Sequence, residues 1–336
     1  MTTEAVLLLT ESRTSRGALR GVWGSYLLTR ALGLLLSLAL LVVATFLIVP
    51  LLPGDPAAAI LGSKATPEAI AALHEKLHLD EPLIPRFGRY VWDLLHLDLG
   101  TSFRTSSPVS EIIATKLPYT LDLALGAIAV VVIVAIPVGM AVAVATRGNR
   151  RPRLDAAFGL VTGLFASIPG YVAGTLLVLV FAVTLKLLPP GGADSPLAAI
   201  LPTIALALGP TAAVARVVRQ ETQTIVVQDF MRTARGHRVG AARLYLVHAL
   251  PNLLTSVLTL TALILAGMIG GTVIIESVFN YPGIGAEVVQ AIVYKDYPVV
   301  EGIILVIGAL AILLNLLIDL ALALADPRML RSRTHG

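Results

Sequence analysis

The sequence predicts an all-α polytopic membrane protein: six transmembrane helices, an extracytoplasmic helical insertion after the first, and a long cytoplasmic loop between the fourth and fifth. Three observations carry this. Of 336 residues, 56% are hydrophobic and only 14% charged, against about 45–50% and about 25% in soluble domains, so polar material is too scarce to cover a water-facing surface. A hydrocarbon core of roughly 30 Å needs about 20 apolar residues as a helix, and the chain holds six long uncharged windows. Arginine, finally, is concentrated in alternate connections between those windows, while Arg86, Arg89 and Arg104 on the other side are diluted by acidic residues, as the positive-inside rule requires.

The windows cover 31–54, 123–146, 156–185, 195–215, 244–275 and 302–318. The first exceeds the apolar core of a signal peptide and reads as an uncleaved anchor. Asp122 opens the second at its outer end. The fifth is too long for one span, and His248-Ala249-Leu250-Pro251-Asn252 marks a boundary, so that helix is set to begin near Leu253. The sixth continues past Asp319 to about Ala325. Arg13, Arg16, Arg20 and Arg30 share a side with Arg147, Arg150, Arg151, Arg153, Arg216, Arg219, Arg232, Arg235, Arg238, Arg243, Arg328, Arg331 and Arg333. That side is cytoplasmic, which places both termini inside. The net charge of +4 is therefore topology, with no nucleic-acid partner implied.

Between the spans, residues 53–116 form the long extracytoplasmic segment. Thr66-Pro67-Glu68 is a helix start, with a capping hydroxyl, proline at the first helical position and an acid in the first turn. Ile70, Leu73 and Leu77 then share one face, and Phe87, Val91, Leu94 and Leu95 repeat the pattern between Pro85 and His96. Each amphipathic helix either packs over the bundle or meets an outside partner. After the fifth span, Glu276-Ser277-Val278-Phe279-Asn280-Tyr281-Pro282-Gly283-Ile284-Gly285 ends in turn chemistry. It reads as a tight outer loop, either a plain connection or the rim of a pore in which Glu276, Phe279, Asn280, Pro282, Gly283 and Gly285 take part. On the cytoplasmic side, Asp229-Phe230-Met231-Arg232-Thr233-Ala234-Arg235-Gly236 offers an N-cap at Asp229, Phe230 and Ala234 one turn apart, and a glycine stop. A helix of two turns does not repay its own nucleation, so it must dock, onto a protein or the lipid surface.

Enzyme templates are missing. The sequence has no phosphate loop, zinc-protease pair, nucleophile elbow or dinucleotide turn, and no cysteine. His74 and His78 have metal-like spacing but no third ligand is placed by sequence, and they read as a solvated helix face. No metal site is expected. Intramembrane polar groups are few: Asn315 and Asp319 lie one turn apart, and Asp319 is near enough to the inner boundary to reach a neighbouring backbone or an arginine without marking a proton path.

From about Tyr26 to Arg328 the chain resembles the B-type integral membrane subunits of dipeptide and oligopeptide importers of the ATP-binding cassette (ABC) class. The resemblance rests on Leu52-Pro53-Gly54-Asp55-Pro56, Leu79-Asp80-Glu81-Pro82, Asp98-Leu99-Gly100-Thr101-Ser102, Leu117-Pro118-Tyr119-Thr120-Leu121, Ser167-Ile168-Pro169 and Leu188-Pro189-Pro190-Gly191-Gly192. It continues through the loop Asp229 to Gly236 with His248, Ala249, Leu250 and Asn252, then Glu276, Phe279, Pro282 to Gly285, Asp296-Tyr297-Pro298-Val299, Asn315, Asp319 and Asp326-Pro327-Arg328. Arg238 stands where the family's loop carries glycine, and Pro251 replaces a polar residue.

This resemblance implies the type I ABC importer permease fold in a bacterial inner membrane. It divides the chain into a cytoplasmic tail (1–25), a first span (26–52), an extracytoplasmic helical segment (53–117), a five-helix core (118–326) with a coupling loop at about 225–250, and a second cytoplasmic tail (327–336). It makes Asp229 to Gly236 the element that docks on a separate ATPase. The implied partners are a second, C-type permease subunit, one or two ATP-binding subunits, an extracytoplasmic substrate-binding protein and membrane lipid. The chain itself needs no cofactor; ATP and magnesium belong to the ATPase subunits. Peptide import is the implied function. Nickel or glutathione import is the same class with other cargo, and an ion-coupled carrier is the alternative from another class, though the repeats and paired charges it needs are not evident.

Overall fold

The computed structural model describes residues 28–48, 55–62, 65–76, 80–237 and 239–325. Both predicted tails, Leu77, His78, Arg238 and Arg328 lie outside the described residues. Thirteen helices follow one another among them: α1 (Leu28–Ile48), α2 (Pro56–Leu61), α3 (Pro67–Lys76), α4 (Leu83–Leu95), α5 (Val109–Ala145), α6 (Pro152–Ser167), α7 (Gly170–Leu177), α8 (Ile200–Val226), α9 (Asp229–Gly236), α10 (Ala241–Arg243), α11 (Leu250–Phe279), α12 (Ile284–Val293) and α13 (Tyr297–Ala325). Five are long and apolar enough to cross a membrane, and the α6–α7 pair makes a sixth crossing if it counts as one span. The fold is that of a type I ABC importer permease, all-α and multi-pass.

α3 starts where the sequence places it, at Thr66-Pro67, while α4 begins at Leu83, two residues before the expected Pro85, and α2 adds a start that the sequence reading does not include. Thr66 Oγ1 accepts from the amide of Ala69 at 3.2 Å, and Asp55 Oδ1 accepts from Ala57 at 2.9 Å with Pro56 at the first helical position. Each supplies an acceptor that a helix start lacks.

Four other boundaries differ from the sequence reading, each for a local reason. α5 begins at Val109, so Asp122 sits inside the helix instead of opening it, and the division at 117/118 falls within one element. At 37 residues it extends roughly 55 Å by helical rise, which carries its polar first turns, with Glu111 and Lys116, beyond the apolar zone. The third span is broken: α6 and α7 meet at 98°, because Pro169 pushes Ile168 into extended backbone (φ −78°, ψ 120°). The fifth does not start at Leu253, since a π-helical turn over Leu244–Ala249 runs straight into α11. Pro251 gives Val247 no N–H at i+4, and wider π spacing accommodates the gap. Finally, α12 is a short amphipathic helix where only a loop was read.

The core is formed where α5 crosses α8. Gly139 allows it: a Cβ there would stand 2.6 Å from the carbonyl of Ala215 and 2.7 Å from Val218. Around that crossing Val131, Ala135, Val214, Val218, Leu253 and Val257 are buried in one cluster, which continues to Met231 and Ala234 of α9. A second cluster at the outer end joins Val109 and Ile113 of α5 to Ile284, Val288, Val300 and Ile303. By contrast, α1 leaves Leu28, Leu32, Leu35, Leu36 and Leu40 exposed, as a helix at the rim of a bundle facing lipid does.

Candidate functional site

The segment that the resemblance makes a docking element, α9, is a helix with two dissimilar faces. Met231 is fully buried and Ala234 nearly so, and these two, three residues apart, seat α9 against the end of α8 and the π-turn. The sequence pairs Phe230 with Ala234; in the structure Phe230 lies at the edge of that seat, 40% exposed, about 40° round the helix from Ala234 but about 100° from Met231, the residue that α8 and the π-turn enclose. Asp229 is not the cap either. Gln228 has the extended cap geometry, its carbonyl receiving the amides of Met231 and Arg232, and Asp229 is the first helical residue. There its charge favours the helix start without a direct bond.

Polar contacts fix the helix orientation. Arg235 Nη2 donates to the carbonyl of Val226 at 2.6 Å, the last residue of α8, where unsatisfied carbonyls carry partial negative charge. Thr233 Oγ1 donates to Asp229 O at 3.0 Å. Gly236 has open space where a Cβ would point. The outward face thus presents Phe230, Asp229, Arg232 and Thr233, with Arg232 and Asp229 loosely paired at 3.5 Å. Behind it, Arg219 pairs with Asp155 and lies over the ring of Phe158 at 6.0 Å, tying α6 to α8.

At the opposite end, the predicted outer loop is a narrow turn closed from inside. Asn280 takes a left-handed conformation (φ 47°) and ends α11. Glu276 does not line the surface of this chain: it is 0% exposed. Its carboxylate accepts from Thr120 Oγ1 at 2.7 Å and from the amide of Ala286 at 3.0 Å. Thr120 Oγ1 in turn accepts from the amide of Ile284 at 3.0 Å. A Cβ on Gly283 would fall 2.3 Å from the Glu276 carboxyl, and one on Gly285 2.8 Å, so the two glycines let the turn wrap around a carboxylate. Phe279 is also buried, and only Asn280 of this group is exposed.

Two functional-looking acids escaped the sequence reading. Asp296, 2% exposed, accepts from Ser102 Oγ at 2.5 Å, Phe103 N at 2.9 Å and Arg104 N at 3.3 Å. Glu287 receives Arg104 at 3.0 Å and Lys116 at 2.8 Å. Together they staple the segment after α4 to α12 and α13. The signal in the sequence is the two separate motifs Asp98 to Ser102 and Asp296 to Val299; their contact spans 194 positions and no local pattern reveals it.

Of the remaining candidates, Asp319 pairs with Arg30 at 2.7 Å, fastening the last long helix to the first, while Asn315 is exposed. His74 stays partly exposed, and both of its ring nitrogens meet carboxylates: Nε2 lies 2.8 Å from Asp55 Oδ1 and Nδ1 3.1 Å from Asp80 Oδ1. No group of three metal-binding side chains occurs among the described residues.

The arrangement is that of a membrane scaffold with a short helix, α9, seated at one end and a network of buried carboxylates at the other. Residues 135–331 match the family described as the inner membrane component of binding-protein-dependent transport systems, and residues 24–124 match its N-terminal companion. The chain belongs to this family. This permease is similar to a Brucella abortus protein named as a peptide transport system permease, with 39% identity over 295 residues, 85% of this chain and 93% of that one. It is also similar to the glutathione transport system permease of Salmonella typhimurium, with 37% identity over 303 residues, 90% and 98% of the two chains. It is a transporter permease subunit.

Proposed function

We propose that this permease forms half of the translocation path of an ABC importer for di- and oligopeptides, with α9 as the element that couples it to a separate ATPase subunit. The observation that carries the coupling role is the two-faced geometry of α9. Met231, Ala234 and Arg235 hold it to α8 and the π-turn, so a push on its outward face moves α8 and α11 with it. A lever transmits motion only when it has one orientation. ATP binding in the partner subunits would draw two such helices together and rock two permease chains between inward-open and outward-open states; hydrolysis would reset them. ATP and magnesium belong to the ATPase. A second, C-type permease and an extracytoplasmic binding protein complete the assembly, and both termini of this chain lie in the cytoplasm.

Peptide cargo is supported by the Brucella relative's name, and glutathione, itself a tripeptide, by the Salmonella one. The test is affinity purification of the chain from its native membrane, followed by reconstitution of what co-purifies. Recovery of ATPase subunits and a second permease, with ATP-dependent uptake of peptides, is the expected result. Uptake of glutathione but not of other peptides would narrow the cargo. Recovery of the chain alone, with uptake driven by an ion gradient, would overturn the reading.

A further inference from the structure

The first long helix and the last are the least enclosed of the five spans: 11% and 6% of their most apolar stretches are buried, against 28–44% in those of α5, α8 and α11. They pack on each other at the edge of the bundle, where a Cβ on Gly308 would stand 2.5 Å from Leu41 Cδ1. Where α1 ends and α13 begins, α4 is held beside α1 by ring contacts of Phe46 with Phe87 and Tyr90 at 5.2 and 5.7 Å. A cavity of about 410 Å³ lies between these three helices and the 98–103 segment. Both spans terminate there, which sets the cavity at the depth of lipid headgroups, away from the α5–α8 crossing that forms the core.

Its lining carries both signs of charge. Arg86, Arg89 and Asp93 come from one face of α4 at helical spacing, Asp98 from the chain just beyond it, and Glu301 from the start of α13. Glu301 lies within the span Tyr297–Leu320, where a carboxylate is expensive and is kept for a purpose. Among the described residues no hydrogen bond or ion pair completes it, and the charge that reaches it is that of Arg86. Asp98 gives one oxygen to the amide of Gly100 at 2.8 Å and keeps the other. Arg89 pairs with Glu81, which occupies only part of a five-donor guanidinium.

A purely anionic ligand would meet three carboxylates here, and a purely cationic one two guanidiniums. A ligand with a phosphate close to a primary ammonium answers both: guanidinium forks suit phosphate oxygens, and an ammonium has three N–H donors to share among carboxylates. Apolar surface continues from the cavity down α1, where Leu40, Val43 and Leu47 are exposed beside Phe46. That track fits an acyl chain and gives a lipid an advantage over a free zwitterion.

We propose that this cavity binds the headgroup of a zwitterionic aminophospholipid, its phosphate on Arg86 and Arg89, its ammonium on Glu301, Asp93 and Asp98, and an acyl chain along α1. In the topology given above this is a lipid of the outer leaflet. Held there, it ties α4 to α1 and α13, whatever cargo the permease carries.

The experiment is native mass spectrometry of the assembled transporter in detergent with equal amounts of dioleoyl phosphatidylethanolamine, its trimethylated counterpart phosphatidylcholine, which has no N–H to donate, and phosphatidylglycerol, which has no ammonium. The wild type should retain phosphatidylethanolamine about tenfold more strongly than either of the others. Glu301→Gln should equalise the three. Asp93→Asn, at an exposed position that the fold does not need, should lower the preference several-fold, and Glu75→Gln, an exposed acid of α3 outside the cavity, should leave it intact. Unchanged melting and bound ATPase subunits in these variants separate lost binding from misfolding. Equal retention of the three lipids by the wild type, or a preference that survives both cavity variants, would overturn the proposal. Glycerophosphoethanolamine, the headgroup without chains, and trialanine should fail to displace the lipid at equal concentration; displacement by either would make the cavity a site for a free zwitterion and overturn the lipid assignment.

Discussion

The two ends of the permease are held by opposite means. At the outer end, buried carboxylates receive several donors each: Glu276 from Thr120 and Ala286, Asp296 from Ser102, Phe103 and Arg104. At the end proposed to face the cytoplasm, α9 is held by two apolar side chains and one arginine on a helix terminus. A satisfied buried network is rigid, and losing one member leaves the others unpaired at full cost. An apolar seat with one polar staple can tilt as a unit with the helices beneath it. The difference fits the proposed function, in which the carboxylate-held end keeps its shape and α9 moves with the helices beneath it.

The largest effect should come from emptying the outer network. Glu276→Ala leaves the Thr120 hydroxyl and the Ala286 amide buried without an acceptor, each costing roughly 1–3 kcal/mol, in addition to the cavity left behind. Gly283→Ala attacks the same place by overlap with the carboxyl and should cost about 1–3 kcal/mol. Both should lower the thermal midpoint and membrane yield of the detergent-extracted complex. A Glu276→Ala protein that melts with the wild type would break the comparison, because the outer end would then be no more tightly specified than the inner.

Next in size is a contrast inside α9. Met231→Asp buries a charge at a fully enclosed position and should destabilise the chain by several kcal/mol, so that little assembled protein is recovered. Phe230→Asp changes an exposed side chain one residue away. It should leave insertion and melting unchanged while abolishing uptake, because the ATPase no longer docks. Pull-down of ATPase subunits together with melting curves separates the two outcomes. Normal uptake by Phe230→Asp in a correctly assembled complex would sink the docking assignment.

These contrasts show what was legible in the sequence. Apolar windows and arginine placement gave the spans, since both follow from hydrocarbon thickness and the positive-inside rule. The α9 helix, the Thr66 cap and the Asn280–Gly283 turn were legible because their signals lie within a few residues. What escaped was non-local. The burial of Glu276 depends on Thr120, and that of Asp296 on Ser102, across the fold. The start of α5 at Val109 was hidden because Glu111, Lys116 and Asp122 broke the apolar window, although a helix continues readily through charged residues outside the bilayer. The phase of α9 was misjudged because Phe230 and Ala234 also satisfy helical spacing; only contact with α8 chooses between the 230/234 and 231/234 faces.

A smaller effect is expected at the staple. Arg235→Ala removes the donor to Val226 but leaves Met231 and Ala234 seated, so the fold should lose about 1–2 kcal/mol at most. Uptake should fall more than ATP hydrolysis does, since the docked helix keeps its partner but loses its fixed angle to α8. Measuring both rates on the reconstituted complex sharpens the comparison: equal losses would make Arg235 a docking residue and not a positioning one.

The smallest effect concerns the extracytoplasmic helices, where exposed charges take over from buried ones. Both ring nitrogens of His74 face aspartates, and only the imidazolium can donate from both at once. Hydrogen bonds to Asp55 and Asp80 accordingly raise the His74 pKa above its ordinary value of 6.5. Burial alone would raise that of Asp55, but the bonds from His74 and the amides of Ala57 and Ala58 outweigh it and hold it low. A group with a raised folded-state pKa stabilises fully below its unfolded value and loses that contribution as pH rises through the folded one. The tie between α3, Asp55 and Asp80 should therefore be intact in mildly acidic medium and loosen from near-neutral pH upward, by an amount that solvent screening keeps small. Hydrogen exchange of the 67–76 amides, corrected for the intrinsic pH dependence, should show protection falling over that window in the wild type and flat in His74→Gln. A flat profile in both would mean that the aspartates hold this helix pair no better than water does.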